Sequence, residues 1–374
     1  MAEQPASTPI WLTADYLYDG LEHYADVINE RRSGFVYGRY GNPTHVALHR
    51  VMASLQGADA AWSFSSGMAA LHTALTSILR AGDHMIVQRT IYGGTFALVT
   101  SVFPRYGIDV SLVNPDPDSV ASAIRPATRA VLVETLANPT FRVTDVPAVA
   151  EVCAQRELML VVDNTVASPF LFRPLEVKGV SLVVESTTKY VSGHADLIGG
   201  SVAGPRGLIE PIRHLAIELG ATAGAFEAWL ALRGAQTLSL RLQRQCATAL
   251  ALAEALSAHW KVEGVGYSGL PGHPDHQLAT RLFGGGYGAM LSFSLHGGYE
   301  AAQRCCDSLG VARVGSSFGS LRTEVCHPAT TSHRQYPAEE RREAGIGDGL
   351  IRVAVGGEDP EDLLEDFLQA LDKA

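Results

Sequence analysis

The feature that most restricts the fold of this chain is a repeated alternation of short apolar runs with helical segments between about residues 46 and 210. The apolar runs lie at 84–88, 109–114, 129–135, 158–164, 180–187 and 199–204. Residues 44–56 and 147–157 show helical spacing. This alternation predicts an α/β fold with a mostly parallel sheet covered by helices on both faces. In such sheets, ligands bind beyond the carboxyl ends of the strands.

The length of 374 residues favours two domains over a single core. Residues 1–45 are rich in tyrosine and turn residues, and we expect an extended arm with little core of its own. We place a first domain at 46–233 and a second at 234–374. A long helical pattern at 225–258, interrupted at Gly234, joins them. The second domain is expected to be a smaller α+β unit, since strand patterns at 289–297 and 351–356 accompany helical patterns at 300–309 and 360–372.

The composition argues against several classes of partner. Lys and Arg total 29 and Asp and Glu total 39, which gives a net charge of −10, and no basic run is interleaved with aromatic residues. We therefore expect neither nucleic acid nor an anionic membrane as a partner. No apolar stretch reaches the roughly 20 residues of a membrane span, and the N-terminal segment lacks the pattern of an export signal.

The cysteines and glycines exclude other kinds of site. The five cysteines, Cys153, Cys246, Cys305, Cys306 and Cys326, show no metal-ligand spacing, so we expect no metal site and a reducing, cytoplasmic location. The stretch Gly284–Ala289 fits a glycine-rich nucleotide pattern, but it leads into a predicted strand rather than a helix. No Gly-Lys dipeptide occurs, which excludes a Walker A motif.

Polar side chains follow four successive strand runs: Tyr92, Asn138, Asp163 and Lys189. The chain has only four lysines, and Lys189 is the one that follows a buried type of strand. A lysine is usually a solvated surface cation. A desolvated amine with a lowered pKa is instead what Schiff-base chemistry requires.

Asp163 closes the apolar run 158–164. It is either a turn or capping residue, or a buried carboxylate that needs a cationic partner at the sheet edge. An aspartate that holds a protonated pyridine nitrogen and a lysine that holds an aldehyde are the two halves of a pyridoxal phosphate site. Asp163 and Lys189, one strand–helix step apart, therefore predict that cofactor.

A phosphate group needs hydrogen-bond donors, preferably at a helix N-terminus. Ser66, Gly67 and Met68 stand just before a helical run, and Ser186 and Thr188 offer hydroxyls beside the lysine. Alone, the first three residues would be an ordinary helix cap. Together with Lys189 they predict a phosphate-binding site.

Nine motifs stand in order along the chain: YGRYGNPT, SSGMAA, YGGT, ANPT, DNT, STTKYVSGHAD, LRGAQTLSLR, HPATTSH and IRVAVGGEDPEDL. With them the chain closely resembles, over residues 8–372, the cysteine/methionine-metabolism (trans-sulfuration) family of pyridoxal phosphate enzymes. That family includes cystathionine γ-synthase, the cystathionine lyases, methionine γ-lyase and O-acetylhomoserine sulfhydrylase. The resemblance implies the type I, aspartate-aminotransferase-like fold, with a mostly parallel seven-stranded sheet, a smaller C-terminal α+β domain and a homotetramer built as a dimer of dimers.

The resemblance also implies roles for individual residues. Lys189 matches the Schiff-base lysine, Asp163 the partner of the pyridine nitrogen, and Tyr92 the tyrosine stacked on the cofactor. The positions that match the phosphate-binding segment are Ser66, Gly67, Met68, Ser186 and Thr188. Tyr37 and Arg39 match arm residues that reach the phosphate of a neighbouring subunit, so active sites would be shared. Asn138, Arg352 and Ser317 match the groups that receive the substrate α-carboxylate, for which a guanidinium is a bidentate partner.

Three positions depart from the family pattern. Gly94 stands where methionine γ-lyases usually have a cysteine, which weakens that assignment. Ser316 and Arg322 stand where glutamates are common in cystathionine-handling members. We expect both to line an altered leaving-group pocket suited to an acidic or neutral γ-substituent.

The resemblance implies a lyase or transferase that carries out γ-elimination or γ-replacement on a sulfur-containing or activated L-amino acid of the cystathionine or homoserine type. Two alternatives stay open. One is a specialised enzyme that expels a non-sulfur leaving group. The other is a cofactor-binding homologue without catalysis, against which Lys189, Tyr92 and Asp163 argue.

Overall fold

The computed structural model describes residues 5–374 and contains two β-sheets. The strands of the first sheet are β1 (Ala60–Phe64), β2 (His84–Gln88), β3 (Asp109–Val113), β4 (Thr128–Glu134), β5 (Met159–Asp163), β6 (Val180–Glu185) and β7 (Gly200–Gly204). Those of the second are β8 (Val262–Gly266), β9 (Met290–Leu295), β10 (Arg313–Val314), β11 (Glu324–Cys326) and β12 (Leu350–Ala354). No helix among the described residues has the length and apolar content that crossing a bilayer requires.

The first sheet has the order β1-β7-β6-β5-β4-β2-β3. Strands β6, β5, β4, β2 and β3 are parallel, whereas β7 runs antiparallel to both β6 and β1. The six predicted strand runs correspond to β2–β7, so the mostly parallel sheet is confirmed. The pattern of apolar runs did not predict the seventh strand, β1. It is five residues long and ends just before a helix cap.

The helices are α1 (Leu21–Ile28), α2 (Pro43–Gln56), α3 (Gly67–Ile78), α4 (Gly93–Ala97), α5 (Pro117–Ser122), α6 (Val146–Gln155), α7 (Ser168–Leu171), α8 (Arg206–Leu219), α9 (Ala225–Ala235), α10 (Leu238–Ser257), α11 (His276–Leu282), α12 (Gly298–Ser308), α13 (Ala338–Glu343) and α14 (Pro360–Lys373). Short 3-10 turns lie at Gly38–Tyr40, Phe103–Tyr106 and Pro174–Glu176, and a π-helical turn lies at Leu98–Val102.

Helices cover both faces of the first sheet, because successive strand residues point to opposite sides. On β4, Val131 and Val133 belong to one buried cluster and Ala130 and Leu132 to the other. The second sheet, of order β10-β11-β12-β9-β8, packs its own core against α12 and α14. Its strands are antiparallel except for the pair β10 and β11.

The predicted long helix is divided into α9 and α10, and the break follows Gly234 rather than lying at it. A Cβ atom on Gly234 would lie 2.1 Å from the carbonyl oxygen of Ser192. Gly234 is therefore required by close packing of α9 against the segment that follows Lys189.

The N-terminal segment is not wholly extended, since it contains α1 and a 3-10 turn. Much of its apolar surface is open to solvent: Leu17 is 97% and Leu21 85% exposed. The segment is tied to the rest of the chain by a few hydrogen bonds, such as that from Trp229 Nε1 to the carbonyl of Thr8 at 2.9 Å. The prediction that it has little core of its own is consistent with this packing.

The five cysteines are free thiols. Cys306 is partly exposed, and the other four are buried. Burial raises the pKa of the Cys153, Cys246 and Cys305 thiols to about 12, so these groups are protonated and unreactive in the folded protein.

Candidate active site

A cavity of about 350 Å³ lies at the carboxyl edge of the first sheet, where the second sheet packs against it. It brings together most of the residues singled out in the sequence: Ser66, Gly67, Met68, Tyr92, Asn138, Asp163, Ser186, Thr188, Lys189, Ser316, Ser317 and Arg352. Several of them lie at or just after strand ends that are far apart in the chain, as parallel strands allow, and others come from the start of α3 and from β12. The cavity is the candidate active site.

Lys189 lies in the turn after β6, and its amine is held rather than free. Nζ donates to Ser317 Oγ at 2.8 Å and lies 4.8 Å from the centre of the Phe318 ring. Burial, and then the positive charge of Arg352, lower the pKa of Lys189 to about 8, against the opposing effect of Glu324. About one tenth of the amine is therefore unprotonated and nucleophilic at pH 7, far more than for an ordinary lysine.

Asp163 ends β5 beside Lys189, and its carboxylate is buried in the site. Oδ1 accepts hydrogen bonds from the amide and the hydroxyl of Thr165, at 3.0 and 2.6 Å. Burial raises its pKa despite these bonds. The cationic partner expected from the sequence is not supplied by the described part of the chain, where Thr165 takes that place. This buried carboxylate thus suits a cationic ring nitrogen brought by a ligand.

The phosphate-binding segment begins α3. Ser66 Oγ caps the helix by accepting from the amide of Ala69 at 3.0 Å, so its hydroxyl serves the cap. The amides of Gly67 and Met68 have no acceptor among residues 5–374. A Cβ on Gly67 would lie 2.8 Å from Ser186 Cβ, so only glycine allows this approach. Two free amides at the N-terminus of a twelve-residue helix form an anion site.

Ser186 and Thr188 line the same cavity as Gly67 and Met68 at the start of α3. Thr188 Oγ1 is already engaged: it donates to the carbonyl of Gly199 at 3.1 Å and accepts from the amide of Gly199 at 2.9 Å. Ser186 Oγ makes only a long contact of 3.5 Å to the same carbonyl. Ser186 is thus the freer of the two hydroxyls for a ligand.

Arg352 lies on β12 and is 1% exposed. Its Nη2 donates to the carbonyl oxygens of Ser316 and Ser317 at 2.8 and 3.0 Å, and its Nε has no partner in the described chain. Asn138 Oδ1 is likewise buried without a partner. Unpaired buried polar groups are costly, so both atoms are available to a polar ligand that enters the cavity.

Tyr92 stands at the cavity entrance with its side chain 44% exposed. Its amide donates to Glu134 Oε1 at 2.8 Å. A Cβ on Gly94 would lie 2.5 Å from Tyr92 Cε1. Gly94, which stands where methionine γ-lyases usually have a cysteine, therefore leaves room for the tyrosine ring in this orientation.

Glu134 lines the cavity and was missed by our reading of the sequence. It ends β4 beside Asp163, and its second oxygen accepts from the amide of Asn138 at 3.2 Å. Burial, and then the charge of Asp163, raise its pKa. The signal was present, because Glu134 closes an apolar run as Asp163 does. Thr165 and Phe318 also line the cavity, but neither of them closes an apolar run.

Three predicted residues lie outside the cavity lining. Arg322 follows a turn at Gly319, where φ is +89°, and it is exposed. Arg322 is not among the residues that line the cavity, and its place in a leaving-group pocket stays a prediction. Arg39 donates to the carbonyl of Ile217 at 2.6 Å, and Tyr37 is 43% exposed. Neither residue lines the cavity that contains Lys189, and their role across a subunit boundary stays a prediction.

The model of one protein family, described as Cys/Met metabolism PLP-dependent enzyme, matches residues 2–372. The chain belongs to this family. It is 38% identical over 372 residues to L-methionine γ-lyase of Treponema denticola, covering 98% of this chain and 92% of that protein. It is 40% identical over 367 residues to cystathionine γ-synthase of Mycobacterium tuberculosis, again covering 98% and 92%.

A solved structure extends the likeness to the fold. The cystathionine γ-synthase of Xanthomonas oryzae, in complex with aminoacrylate and cysteine, matches with a TM-score of 0.93, at 36% identity over 98% of this chain and 93% of that one. The α/β fold, with a large sheet and a smaller second domain, is therefore confirmed. The chain is a pyridoxal phosphate-dependent enzyme.

The residues present fit that cofactor. The free amides of Gly67 and Met68 suit its phosphate, and the buried Asp163 carboxylate suits its ring nitrogen. The amine of Lys189, with a pKa lowered to about 8, suits its aldehyde.

Proposed function

We propose that this enzyme carries out γ-elimination or γ-replacement on a sulfur-containing or activated L-amino acid of the cystathionine or homoserine type. One observation carries the proposal: Lys189 Nζ, held by Ser317, faces the same cavity as Arg352 and the buried carboxylate of Asp163. An amine that moves protons and a guanidinium that binds a carboxylate thus lie in one enclosed site.

When bound, pyridoxal phosphate supplies an electron sink that makes protons on neighbouring carbon atoms of an amino acid acidic. The chain's own residues do the rest. Lys189 Nζ accepts and returns protons, because its lowered pKa lets both protonation states exist near neutral pH. Arg352 orients the substrate carboxylate, and Asp163 holds the ring nitrogen in its cationic form. Tyr92, which lines the cavity, would help to hold the cofactor there.

The substrate class follows from what surrounds these groups. The relatives are named for methionine and cystathionine, and Ser316 contributes a small hydroxyl to the cavity wall. A short, neutral side chain at that place favours a neutral or acidic distal substituent over a distal ammonium. The alternative of a non-sulfur leaving group rests on Ser316 alone. A homologue without catalysis is disfavoured by the lowered pKa of Lys189.

The decisive experiment supplies the holoenzyme with methionine, cystathionine, cysteine and O-acylated homoserines. Release of 2-oxobutanoate indicates γ-elimination, pyruvate indicates β-elimination, and a new thioether in the presence of a thiol indicates replacement. We expect 2-oxobutanoate or a γ-replacement product from at least one substrate. Pyruvate alone from every substrate would contradict the proposal.

The cofactor lysine is tested separately. Borohydride should fix the cofactor covalently to the wild-type chain at Lys189, identified by peptide mass. Lys189→Ala should lose this adduct, since no other amine lies in the described cavity lining. An adduct of equal yield in Lys189→Ala would assign the wrong lysine.

We also propose a homotetramer with shared active sites, in which Tyr37 and Arg39 bind the cofactor phosphate of a neighbouring subunit. Their position outside their own cavity and the exposed apolar surface of the N-terminal segment support this.

The two sheets support a division into an arm at 1–45 and domains at 46–233 and 234–374. The five free thiols suit the cytoplasm, where we place the enzyme.

A further inference from the structure

Glu324 is a carboxylate close to the cavity that no motif points to. It begins β11 and pairs with Ala354, while Cys326, two residues on, pairs with Arg352. Because residues i and i+2 of a strand share a face, Glu324 lies on the same face of the second sheet as Arg352. The opposite face, with Val325 and Val353, forms the core of that sheet.

The carboxylate of Glu324 is used within this corner of the structure. Oε2 accepts a hydrogen bond from the amide of Ser317 at 3.0 Å. A Cβ on Gly315 would lie 2.3 Å from the same oxygen. The carboxylate therefore rests against a backbone position that only glycine leaves open.

The segment that Glu324 holds supports both cations of the site. Ser317 Oγ accepts from Lys189 Nζ at 2.8 Å, and the carbonyls of Ser316 and Ser317 accept from Arg352 Nη2. A shift of this segment would displace the amine and the guanidinium together.

The charges facing Lys189 come from four elements. Arg352 on β12 lowers its pKa and Glu324 on β11 raises it. Asp163 on β5 and Glu134 on β4 line the same cavity, as does the phenol of Tyr92. Glu324 is thus the carboxylate of the second sheet that opposes Arg352.

We propose that Glu324 is a positioning residue: through the Ser317 amide it fixes the segment on which Lys189 and Arg352 rest, and it adds one negative charge to the face of the sheet that carries Arg352. The inference rests on the proposed role of Lys189 in binding the cofactor. It assigns to Glu324 two separable effects, one of geometry and one of charge.

Two substitutions separate these effects. Glu324→Gln keeps an oxygen that accepts from the Ser317 amide but removes the charge. In the holoenzyme, the pH midpoint of the change in visible absorbance should fall by about one unit, with kcat nearly unchanged at the optimum. Glu324→Leu removes the acceptor as well. KM should then rise about tenfold, because the support of Arg352 is loosened.

Gly315→Ala tests the same contact without changing the charge count. The added methyl should push the carboxylate off the Ser317 amide and raise KM in the wild-type background. In the Glu324→Leu background it should add less than about twofold, since the contact is already gone.

Glu358→Gln is the matched control. Glu358 accepts from the amide and hydroxyl of Thr323 at 2.6 and 2.7 Å, in the same turn but without a link to Lys189. It should lower thermal stability and leave the pH midpoint in place.

The inference is overturned if Glu324→Gln keeps the wild-type midpoint and Gly315→Ala keeps the wild-type KM, both of which can be measured even where Glu324→Leu fails to fold. Loss of the proposed function looks different. In that case borohydride would fix the cofactor to Lys189→Ala as well as to the wild type.

Discussion

Among single residues, Ser316 and Arg322 form a natural comparison, because both depart from the family pattern and only Ser316 lines the cavity. Ser316→Glu should favour substrates with a distal ammonium, since the introduced carboxylate attracts that charge. The ratio of kcat/KM for cystathionine over that for O-succinylhomoserine should rise about tenfold, which corresponds to ~1.4 kcal/mol. Arg322→Glu, in an exposed turn, should leave the ratio near wild type.

The same measurement can contradict this assignment. Equal ratios in wild type and Ser316→Glu would place the distal substituent elsewhere. A large change in Arg322→Glu alone would show that the exposed turn reaches the substrate.

Glu185 predicts a dependence of stability on pH. It ends β6, is 1% exposed, and accepts from Gln56 Nε2 at 2.9 Å. Burial, as the largest cause, raises its pKa from 4.5 to about 8. Because the folded-state pKa is the higher one, the unfolded chain ionises first as pH rises. The stabilisation is therefore complete below about 4.5 and is lost progressively up to about 8.

Glu185→Gln should flatten that part of the curve. The melting temperature of the variant should fall less than that of the wild type between pH 5.5 and 8, as measured by calorimetry of the holoenzyme. Glu263→Gln, at an exposed position, should follow the wild-type curve. Parallel curves for Glu185→Gln and wild type would mean that Glu185 is already ionised at low pH.

How far the site was predictable differs from residue to residue. Lys189, Asp163, Tyr92 and Asn138 follow apolar runs, and parallel strands bring such positions to one edge. Glu134 obeys the same rule and was overlooked. Glu324 does not follow an apolar run. Its position depends on the register of β11 against β12 and on a turn at Ser317. The spacing along the chain also did not show that Arg322 lies outside the cavity lining, because spacing does not give the direction of a turn.

At the scale of elements, the segment before α13 holds the loop that carries Tyr92. The Tyr336 hydroxyl bonds to the carbonyl of Ile91 at 2.8 Å, and its ring stacks on Phe96 with centroids 3.9 Å apart. A Cβ on Gly93 would lie 2.4 Å from the carbonyl oxygen of Ser332. The position of Tyr92 thus depends on packing from the far end of the sequence.

Tyr336→Phe should therefore weaken cofactor binding without touching the cavity. The Ile91 carbonyl loses its buried partner, at a cost of about 1–3 kcal/mol in unfolding free energy. The cofactor dissociation constant, from fluorescence titration of the apoenzyme, should rise. Tyr299→Phe serves as the control, since Tyr299 is 45% exposed. An unchanged cofactor dissociation constant together with the expected loss of stability would show that Tyr336 stabilises the fold without affecting cofactor binding.

Some elements were beyond the reach of the sequence pattern. The runs that form β2–β7 are apolar enough to be found, but their pattern does not reveal that β7 is antiparallel. Strand β1 pairs with β7 along its whole length, so its presence follows from a partner some 140 residues away. The strands β8, β10 and β11 are too short or too polar to stand out.

For the whole molecule, shared active sites can be tested by complementation. Arg39→Ala and Lys189→Ala chains should each be inactive alone. After mixing under conditions that exchange subunits, some sites should combine an intact Arg39 from one chain with an intact Lys189 from another, and activity should return in part. Mass spectrometry of mixed oligomers shows whether exchange took place. Exchange without recovered activity would count against sites built from two chains.

The rates at which the buried thiols react can report how often the cores around them open. Cys153 and Cys246 lie in the core on one face of the first sheet, and Cys305 lies in the core of the second. A thiol reagent reaches each of them only when the surrounding core opens, so its labelling rate measures that opening. Mapping the label by peptide mass over time would therefore show, in the native sequence, whether the two cores unfold as one cooperative unit or separately.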